Sequence, residues 1–202
     1  MTPVNLRPAT LADAAAILAI YRPYIEETDI SFEVTVPSLA EFEGRMRLIM
    51  AKFPYLVATV EDRVVGYAYA AEHRERAAYG WNADLTVYLD RAFTGRGLGR
   101  TLYQALLKIL KLQKIQNVYG IVTHPNPASE ALHQRLEFRE VGIFRQTGHK
   151  FGRWLDVVWY EKFLGDHEER PQPPLAFSEL DKRTVESMLQ RFIPERGVDL
   201  KK

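Results

Sequence analysis

The chain has 202 residues, 47% of them hydrophobic and 26% charged, with no cysteine and a formal net charge of +1. This composition is typical of one globular domain, and the small net charge favours neither nucleic acid nor an anionic membrane as a partner. The absence of cysteine excludes a disulfide framework, a cysteine nucleophile and a thiolate metal site. The sequence begins without a secretory pattern and contains no long apolar segment, so we expect a cytoplasmic protein with no membrane partner.

The first third of the chain predicts a strand, two helices and a pair of strands. Thr10 is placed to cap the first helix, and Ser38 with Glu41 forms a capping-box pattern before the second. A tight turn at 61–63 is predicted between the paired strands. The predicted ranges are a strand at 3–7, a helix at 11–28, and strands at 55–60 and 64–71.

The middle of the chain predicts a strand at 83–89, a glycine-rich loop and a helix at 97–113. The glycines at 95, 97 and 99 allow successive backbone N–H groups to point at one ligand, and the helix adds its positive dipole end. The pattern therefore favours a seat for an anion such as a pyrophosphate, although a flexible turn would use the same residues. Arg100 stands where a dinucleotide fingerprint needs its third glycine, and the chain contains no GK[ST] triplet of a P-loop.

The last predicted elements are a strand at 117–123, a helix at 127–136, and strands at 138–146 and 153–163 that form an antiparallel hairpin. Alternating strands and helices predict an α/β fold around a mixed sheet. Residues 165–174 are polar and proline-rich, which is typical of a linker. Beyond them we expect a helix capped by Ser178, whose apolar stripe docks either on its own domain or on a second subunit. The stripe consists of Val185, Met188, Leu189 and Phe192.

The loop Thr94-x-x-Gly97-x-Gly99 resembles the pyrophosphate loop (Q/R)-x-x-G-x-(G/A) of the GNAT superfamily of N-acetyltransferases, with Thr94 in place of Gln or Arg. Further motifs resemble the phosphinothricin and methionine sulfoximine acetyltransferase branch. They are Ser31-Phe-Glu33, Trp81-Asn-Ala-Asp-Leu-Thr-Val-Tyr88, Pro125-Asn126-x-x-Ser129-x-x-x-His133 and Phe151-Gly-Arg-Trp-Leu-Asp156. The resemblance runs over about residues 3–164 and implies a mostly antiparallel sheet flanked by helices. We therefore expect a GNAT domain at 1–164, a linker at 165–174 and an accessory helix with tail at 175–202.

The resemblance implies that acetyl-CoA is the co-substrate and that an amine attacks its thioester directly. The residues expected to bind the cofactor are Val87, Tyr88, Thr94, Gly95, Arg96, Gly97, Leu98, Gly99 and Asn126. Among these, Val87 and Tyr88 would act through main-chain N–H groups, and the cation of Arg96 would compensate for Thr94. Asn126 would hydrogen-bond the pantetheine arm, or it would only cap the following helix.

Two residues are candidates for proton transfer. Asp84 stands where the branch has Glu, so the resemblance implies a general base that acts through a water, because Asp is one methylene shorter. The alternative is a carboxylate that only stabilises the strand end. His133 stands where many members have a Tyr that protonates the thiolate, and its alternative is an ordinary core histidine.

The implied substrate is a small amino acid or glutamate-like analogue. We expect His73, Arg74 and Arg76 to grip its carboxylate, unless they form only a solvated basic turn, and Phe32 and Glu33 to form the opposite wall. The scattered histidines predict no metal site. We expect a homodimer without nucleic-acid partners.

Two other functions stay open. The first is acetylation of a protein N-terminus or lysine, which would need an open acidic groove. The second is a non-catalytic acyl-CoA-binding regulatory module on the same fold.

Overall fold

A single seven-stranded sheet, with strand order β1-β2-β3-β4-β5-β7-β6, organises the computed structural model, which describes residues 2–192. The strands are β1 (Val4–Pro8), β2 (Tyr55–Val60), β3 (Arg63–Glu72), β4 (Asn82–Leu89), β5 (Asn117–His124), β6 (Arg139–Lys150) and β7 (Arg153–Phe163). The helices are α1 (Ala14–Glu27), α2 (Leu39–Lys52), α3 (Leu98–Leu112), α4 (Pro127–Arg135) and α5 (Lys182–Gln190).

The sheet opens between β4 and β5, which pair over only part of their length. All neighbours are antiparallel except β4 and β5, which run parallel. Their pairing covers only Asn82–Asp84 against Asn117–Tyr119. Beyond Asp84 the two strands separate, so the β5-facing edge of β4 has no strand partner there. The predicted mixed, mostly antiparallel α/β sheet and the antiparallel β6–β7 hairpin are confirmed.

Helices cover both faces of the sheet because each face of its central strands is apolar. On one face, α1 and α2 bury a cluster that includes Ile17 and Met46. On the other face, α3 and α5 pack on β1 to β4 through residues such as Leu106 and Leu189. The alternation along β4 directs Leu85 into this second cluster, while Tyr88 packs against the α1 side.

Capping chemistry defines the helix starts. The Ser38 hydroxyl accepts from the backbone N–H of Glu41 at 3.3 Å, and the Glu41 carboxylate accepts from the Ser38 N–H at 2.8 Å, so the predicted capping box is confirmed. Thr10 forms a similar box with Asp13, but one 3-10 turn over Leu11–Asp13 precedes α1. The first helix therefore begins at Ala14, three residues later than predicted.

The C-terminal prediction was wrong about the cap. Asp181 caps α5 by accepting from the N–H of Thr184 at 2.9 Å, whereas Ser178 lies in a separate 3-10 turn over Phe177–Glu179. The helix docks on its own domain, where Val185 and Leu189 are buried against β1 and α3. Residues 193–202 of the predicted tail lie outside the described residues.

The segment at 165–174 also contacts the domain. The indole N–H of Trp81 donates to the carbonyl of Gln172 at 2.8 Å, and the backbone of Leu175 bonds to that of Gln113 at 3.0 Å. The last strand pair differs from the prediction as well, since β6 continues to Lys150 through two register shifts, between Glu140 and Gly142 and between Phe144 and Gly148.

Candidate active site

The glycine loop joins β4 to α3 and presents unpaired backbone donors. Gly95 and Gly97 have φ of +71° and +83°, a conformation that glycine adopts without strain, and a Cβ built on either would meet no atom within 4 Å. No acceptor among residues 2–192 binds the backbone N–H groups of Gly95, Gly97, Leu98 or Gly99. These donors at the α3 N-terminus fit an anionic pyrophosphate.

The two side chains of this loop contact its own scaffold. The Thr94 hydroxyl donates to the carbonyl of Arg91 at 2.9 Å. The guanidinium of Arg96 lies over the Phe93 ring, 5.5 Å from its centroid. Backbone donors therefore contribute most of the polar atoms that this loop offers to an anion.

The main chain of β4 borders the opening beyond Asp84. The β3–β4 register is unbroken from Glu72↔Ala83 to Gly66↔Leu89, without a bulge. In such a strand, successive N–H groups point to opposite edges. Only one of the N–H groups of Val87 and Tyr88 can therefore face the opening, while the other faces β3.

Asp84 and His73 form one hydrogen-bonded pair. The carboxylate Oδ1 of Asp84 lies 2.6 Å from Nδ1 of His73, and the two side chains are 27% and 9% exposed. Burial raises the pKa of Asp84, against the opposing effects of the hydrogen bond from His73 and the positive charge of Arg74. Asp84 also belongs to the last residue pair that joins β4 to β5, so the carboxylate lies where the strands separate.

His133 is enclosed in the core. Its Nδ1 lies 2.8 Å from the carbonyl oxygen of Ser129, which can only accept, so Nδ1 carries the proton and Nε2 does not. Nε2 is buried without a partner, and the ring stacks on Tyr160 with centroids 5.0 Å apart. Burial lowers the pKa of His133. The ring is therefore neutral near pH 7, and its one proton is held by a backbone carbonyl.

Asn126 caps α4 and keeps free donors. Its Oδ1 accepts from the N–H of Ser129 at 3.2 Å, while no described acceptor binds its side-chain NH₂ group. Together with Val87, Tyr88 and His133 it borders a cavity of about 90 Å³ between β4 and β5. We call this space the β4–β5 cavity.

The predicted substrate residues fall into two groups. Phe32 and Glu33 line a cavity of about 460 Å³ that shares Tyr88 and Thr123 with the β4–β5 cavity. Glu33 is held there by Tyr21 at 3.1 Å and by Arg45 at 2.7 Å. Burial raises the pKa of Tyr21 to about 12, so its hydroxyl keeps the proton that it donates.

The second group lines a larger space at the end of β3. His73, Arg74 and Arg76 border an open cavity of about 760 Å³ with Tyr79. The Asp84–His73 hydrogen bond links this cavity to the separation point of β4 and β5.

Sequence reasoning missed two features of the site. The first is the aromatic packing around His73, whose ring stacks on Tyr119 with centroids 4.4 Å apart. The second is Lys150, whose buried Nζ donates to the carbonyl of Ser31 at 2.6 Å and fixes the segment that carries Phe32. An alternating strand pattern around 119 and 150 gives no signal for either contact, because both join residues distant in sequence.

The described part of the chain contains neither a membrane-spanning helix nor a metal-binding cluster. No helix within 2–192 is long and apolar enough to cross a membrane. Over the same residues, no group of three or more His, Asp or Glu side chains is arranged to hold a metal ion.

Comparison with known proteins places this geometry in a family. The family described as "Acetyltransferase (GNAT) domain" matches residues 6–159. Phosphinothricin N-acetyltransferase of Streptomyces viridochromogenes is 37% identical over 85% of this chain and 92% of the relative. L-methionine sulfoximine/L-methionine sulfone acetyltransferase of Pseudomonas paraeruginosa is 33% identical over 83% of this chain and 98% of the relative.

A solved structure agrees with these relatives. It is a GNAT superfamily phosphinothricin acetyltransferase from Sinorhizobium meliloti in complex with acetyl-CoA, with a TM-score of 0.81 and 34% identity over 87% of this chain and 96% of that one. The match of sequence and fold over most of the chain shows that this protein belongs to the GNAT family of acetyltransferases.

Proposed function

We propose that the protein transfers an acetyl group from acetyl-CoA to the amine of a small amino acid or a glutamate-like analogue, such as phosphinothricin or methionine sulfoximine. One observation carries the proposal. The strands β4 and β5 separate at Asp84, with unpaired N–H groups of the glycine loop at the far end of the opening. A long ligand with an anionic end would extend from the backbone N–H groups of the glycine loop to the carboxylate of Asp84.

Acetyl-CoA would be held from both ends of this opening. Gly95 to Gly99 would bind the pyrophosphate through backbone N–H groups, with Arg96 as a neighbouring cation and Thr94 buttressing the loop. The free NH₂ group of Asn126 would donate to an amide carbonyl of the pantetheine arm. When bound, acetyl-CoA supplies an activated acetyl thioester.

The residues of β4 would then perform two tasks. An ammonium substrate must lose a proton before its nitrogen can attack, and Asp84 would take part in removing that proton. The N–H of either Val87 or Tyr88, whichever faces the opening, would stabilise the developing oxyanion. The attack forms a C–N bond and breaks the C–S bond, and the second amine proton leaves with the sulfur as a thiol.

His133 is a weaker candidate for protonating the departing thiolate than the sequence predicts. Its only proton is donated to the Ser129 carbonyl, and burial lowers its pKa. To act as an acid it would need to rotate or change tautomer in a tightly packed position. We propose instead that the proton reaches sulfur from the attacking nitrogen, with His133 shaping the β4–β5 cavity.

The charge near Asp84 supports an amino-acid-like substrate. Arg74 and Arg76 border the cavity that contains His73, and a guanidinium pairs with a carboxylate through two parallel hydrogen bonds. Phe32 and Glu33 would form the opposite wall. These arginines disfavour lysine-rich protein substrates, and the Asp84–His73 pair is unexpected in a regulatory module that only binds acyl-CoA.

The test is a substrate screen with detection of released thiol. Amino acids, phosphinothricin, methionine sulfoximine and peptides with free N-termini would be compared at fixed acetyl-CoA. We expect turnover with one or more small amino-acid-like amines, and a marked loss for the same compounds as methyl esters, which lack the carboxylate. Turnover of peptides alone, or acetyl-CoA binding without any turnover, would overturn the proposal.

Two variants separate cofactor binding from chemistry. Gly97→Glu places a negative side chain where phosphate would bind, so acetyl-CoA affinity measured by calorimetry should be lost while the circular dichroism spectrum is kept. Asp84→Asn should retain that affinity and lose kcat, because Asp84 takes part in proton removal, a step that contributes about 10²–10⁴-fold. Asp84→Glu should keep substantial activity.

We also propose a cytoplasmic homodimer. The outer strand β6 exposes Val141 and Phe144, which a second subunit would cover. Light scattering on the purified protein would measure its mass in solution, and a monomer at micromolar concentration would contradict this part of the proposal.

A further inference from the structure

Aromatic side chains enclose the ring of His73 next to Asp84. Its side chain is only 9% exposed, and its ring stacks on Tyr119 at 4.4 Å with edge contacts to Tyr79 and Trp159 near 6 Å. The pair with Asp84, at 2.6 Å, adds a polar restraint. Stacking and hydrogen bonding together restrict the ring to one orientation.

The hydrogen bond also defines the tautomer. A carboxylate accepts, so Nδ1 of His73 donates to Asp84 and the neutral ring carries its lone pair on Nε2. No described residue bonds to Nε2, and the buried polar atoms without a partner belong to other side chains. Because His73 lines the 760 Å³ cavity, this lone pair reaches accessible space beside Arg74.

We propose that His73 is the group that accepts the amine proton, with Asp84 as its orienting carboxylate. The proposal deepens the function given above and rests on it. It removes the need for a bridging water, since the imidazole adds the reach that Asp lacks relative to Glu. A carboxylate behind an imidazole fixes its tautomer and stabilises the imidazolium that forms.

The proton balance of the step is complete. The ammonium of the substrate gives one proton to Nε2 of His73, which yields a neutral amine and an imidazolium paired with Asp84. The amine forms the C–N bond, the C–S bond breaks, and the second nitrogen-bound proton leaves with the sulfur. His73 then returns its proton to solvent through the open cavity, so the overall reaction releases one proton.

Charged and titratable groups surround the ring of His73. They are Asp84 on β4, Tyr119 on β5 with its β7 pairing partner Glu161, and the residues that line the same cavity, Glu72, Arg74, Glu75, Arg76 and Tyr79. Burial raises the pKa of Tyr119, so this phenol is neutral near pH 7. The carboxylate of Asp84 is in direct contact with the ring, and Arg74 borders the same cavity as His73.

The experiment compares pH–rate profiles of kcat for the wild type, His73→Asn, His73→Phe and Asp84→Asn with one amine from the screen. Asn keeps a donor for Asp84, and Phe keeps the stacking on Tyr119, but neither can accept the proton. Acetyl-CoA affinity and circular dichroism report folding, and exposed His149→Asn is the matched control.

We expect both His73 variants to lose about 10²–10⁴-fold in kcat at neutral pH and to recover with rising pH, with the acid limb of the profile abolished. Asp84→Asn should keep an acid limb, because the imidazole of His73 can still accept the proton. Acid limbs that persist in the His73 variants and vanish in Asp84→Asn would show that Asp84 is itself the base, which overturns this inference and leaves the proposed function standing. A wild type that binds acetyl-CoA and acetylates no amine would contradict the proposed function instead.

Discussion

The packing of His133 against Gly120 predicts that a single added methyl group destabilises the protein. A Cβ built on Gly120 would lie 2.1 Å from Nε2 and 2.6 Å from Cδ2 of His133. Ordinary van der Waals contact begins near 3.4 Å, so in Gly120→Ala the ring must retreat by about 1 Å. The stacked Tyr160 at 5.0 Å and the Ser129 carbonyl at 2.8 Å hold it on the other sides.

Because the His133 ring is confined, Gly120→Ala should lower the free energy of unfolding. Overpacking of a well-packed core costs about 1–3 kcal/mol. A domain of this size loses about 2–4 °C in Tm per kcal/mol, so we expect a decrease of roughly 2–12 °C. Gly142→Ala is the matched control, because the same methyl group on β6 meets no atom within 4 Å. That control should be neutral or stabilising by up to about 1 kcal/mol, through the reduced entropy of the unfolded chain.

Urea denaturation of both variants and of a double-mutant cycle with His133→Ala measures the contact directly. Removing the imidazole creates room for the new methyl group, so the double variant should be more stable than the sum of the single effects by about 1 kcal/mol or more. Additive effects in the cycle, or a Gly120→Ala variant as stable as Gly142→Ala, would refute the reasoning. If the ring moves into the β4–β5 cavity instead, acetyl-CoA affinity should fall in Gly120→Ala.

Three further predictions concern stability and are measured by chemical denaturation. Asp181→Ala should cost about 1 kcal/mol through loss of the α5 cap, while Ser178→Ala should change little. Leu189→Ala should cost about 2–5 kcal/mol, since this side chain is 1% exposed; a smaller loss would mean that α5 contributes little to the domain. The pKa of Asp13 is lowered to about 2, chiefly by its hydrogen bond with Arg7, so its stabilising effect is present above about pH 4 and disappears as the pH falls toward 2. Asp13→Asn should therefore be less stable than the wild type at pH 7, and its free energy of unfolding should decrease less as the pH falls from about 4 toward 2.

Local patterns predicted most of the elements because each has its cause within a few residues. The box of Ser38 and Glu41 and the positive-φ glycines before α3 are short-range devices, and both were found where the sequence places them. The prediction that Ser178 caps α5 was wrong. The Ser-x-x-Asp pattern has the spacing of a capping pair, but Asp181 is itself the cap and accepts from the N–H of Thr184. The register shifts in β6 were missed because this strand is exposed along most of its length, so its sequence has no clear apolar alternation for a bulge to interrupt.

The hydrogen bond between His73 and Asp84 could not be predicted from the sequence, for a geometric reason. His73 and Asp84 are separated by the β3–β4 connection, and their contact depends on a register that aligns Ala71 with Asp84. A shift of one residue would move Asp84 to the other face of the sheet. No composition or motif encodes that alignment. The sequence therefore predicted a separate role for each residue but not their hydrogen bond.

This register is compatible with an Asp at position 84, where the family resemblance implies Glu. A shorter side chain withdraws its carboxylate from the substrate, which by itself would weaken direct proton transfer. With the carboxylate 2.6 Å from the imidazole of His73, the same withdrawal makes room for a ring between Asp84 and the cavity. The two positions should therefore depend on each other. Asp84→Glu combined with His73→Ala leaves no ring in that space, so the longer carboxylate reaches the substrate directly. We expect this double variant to be more active than His73→Ala alone, and equal or lower activity would show that the ring and the carboxylate act independently.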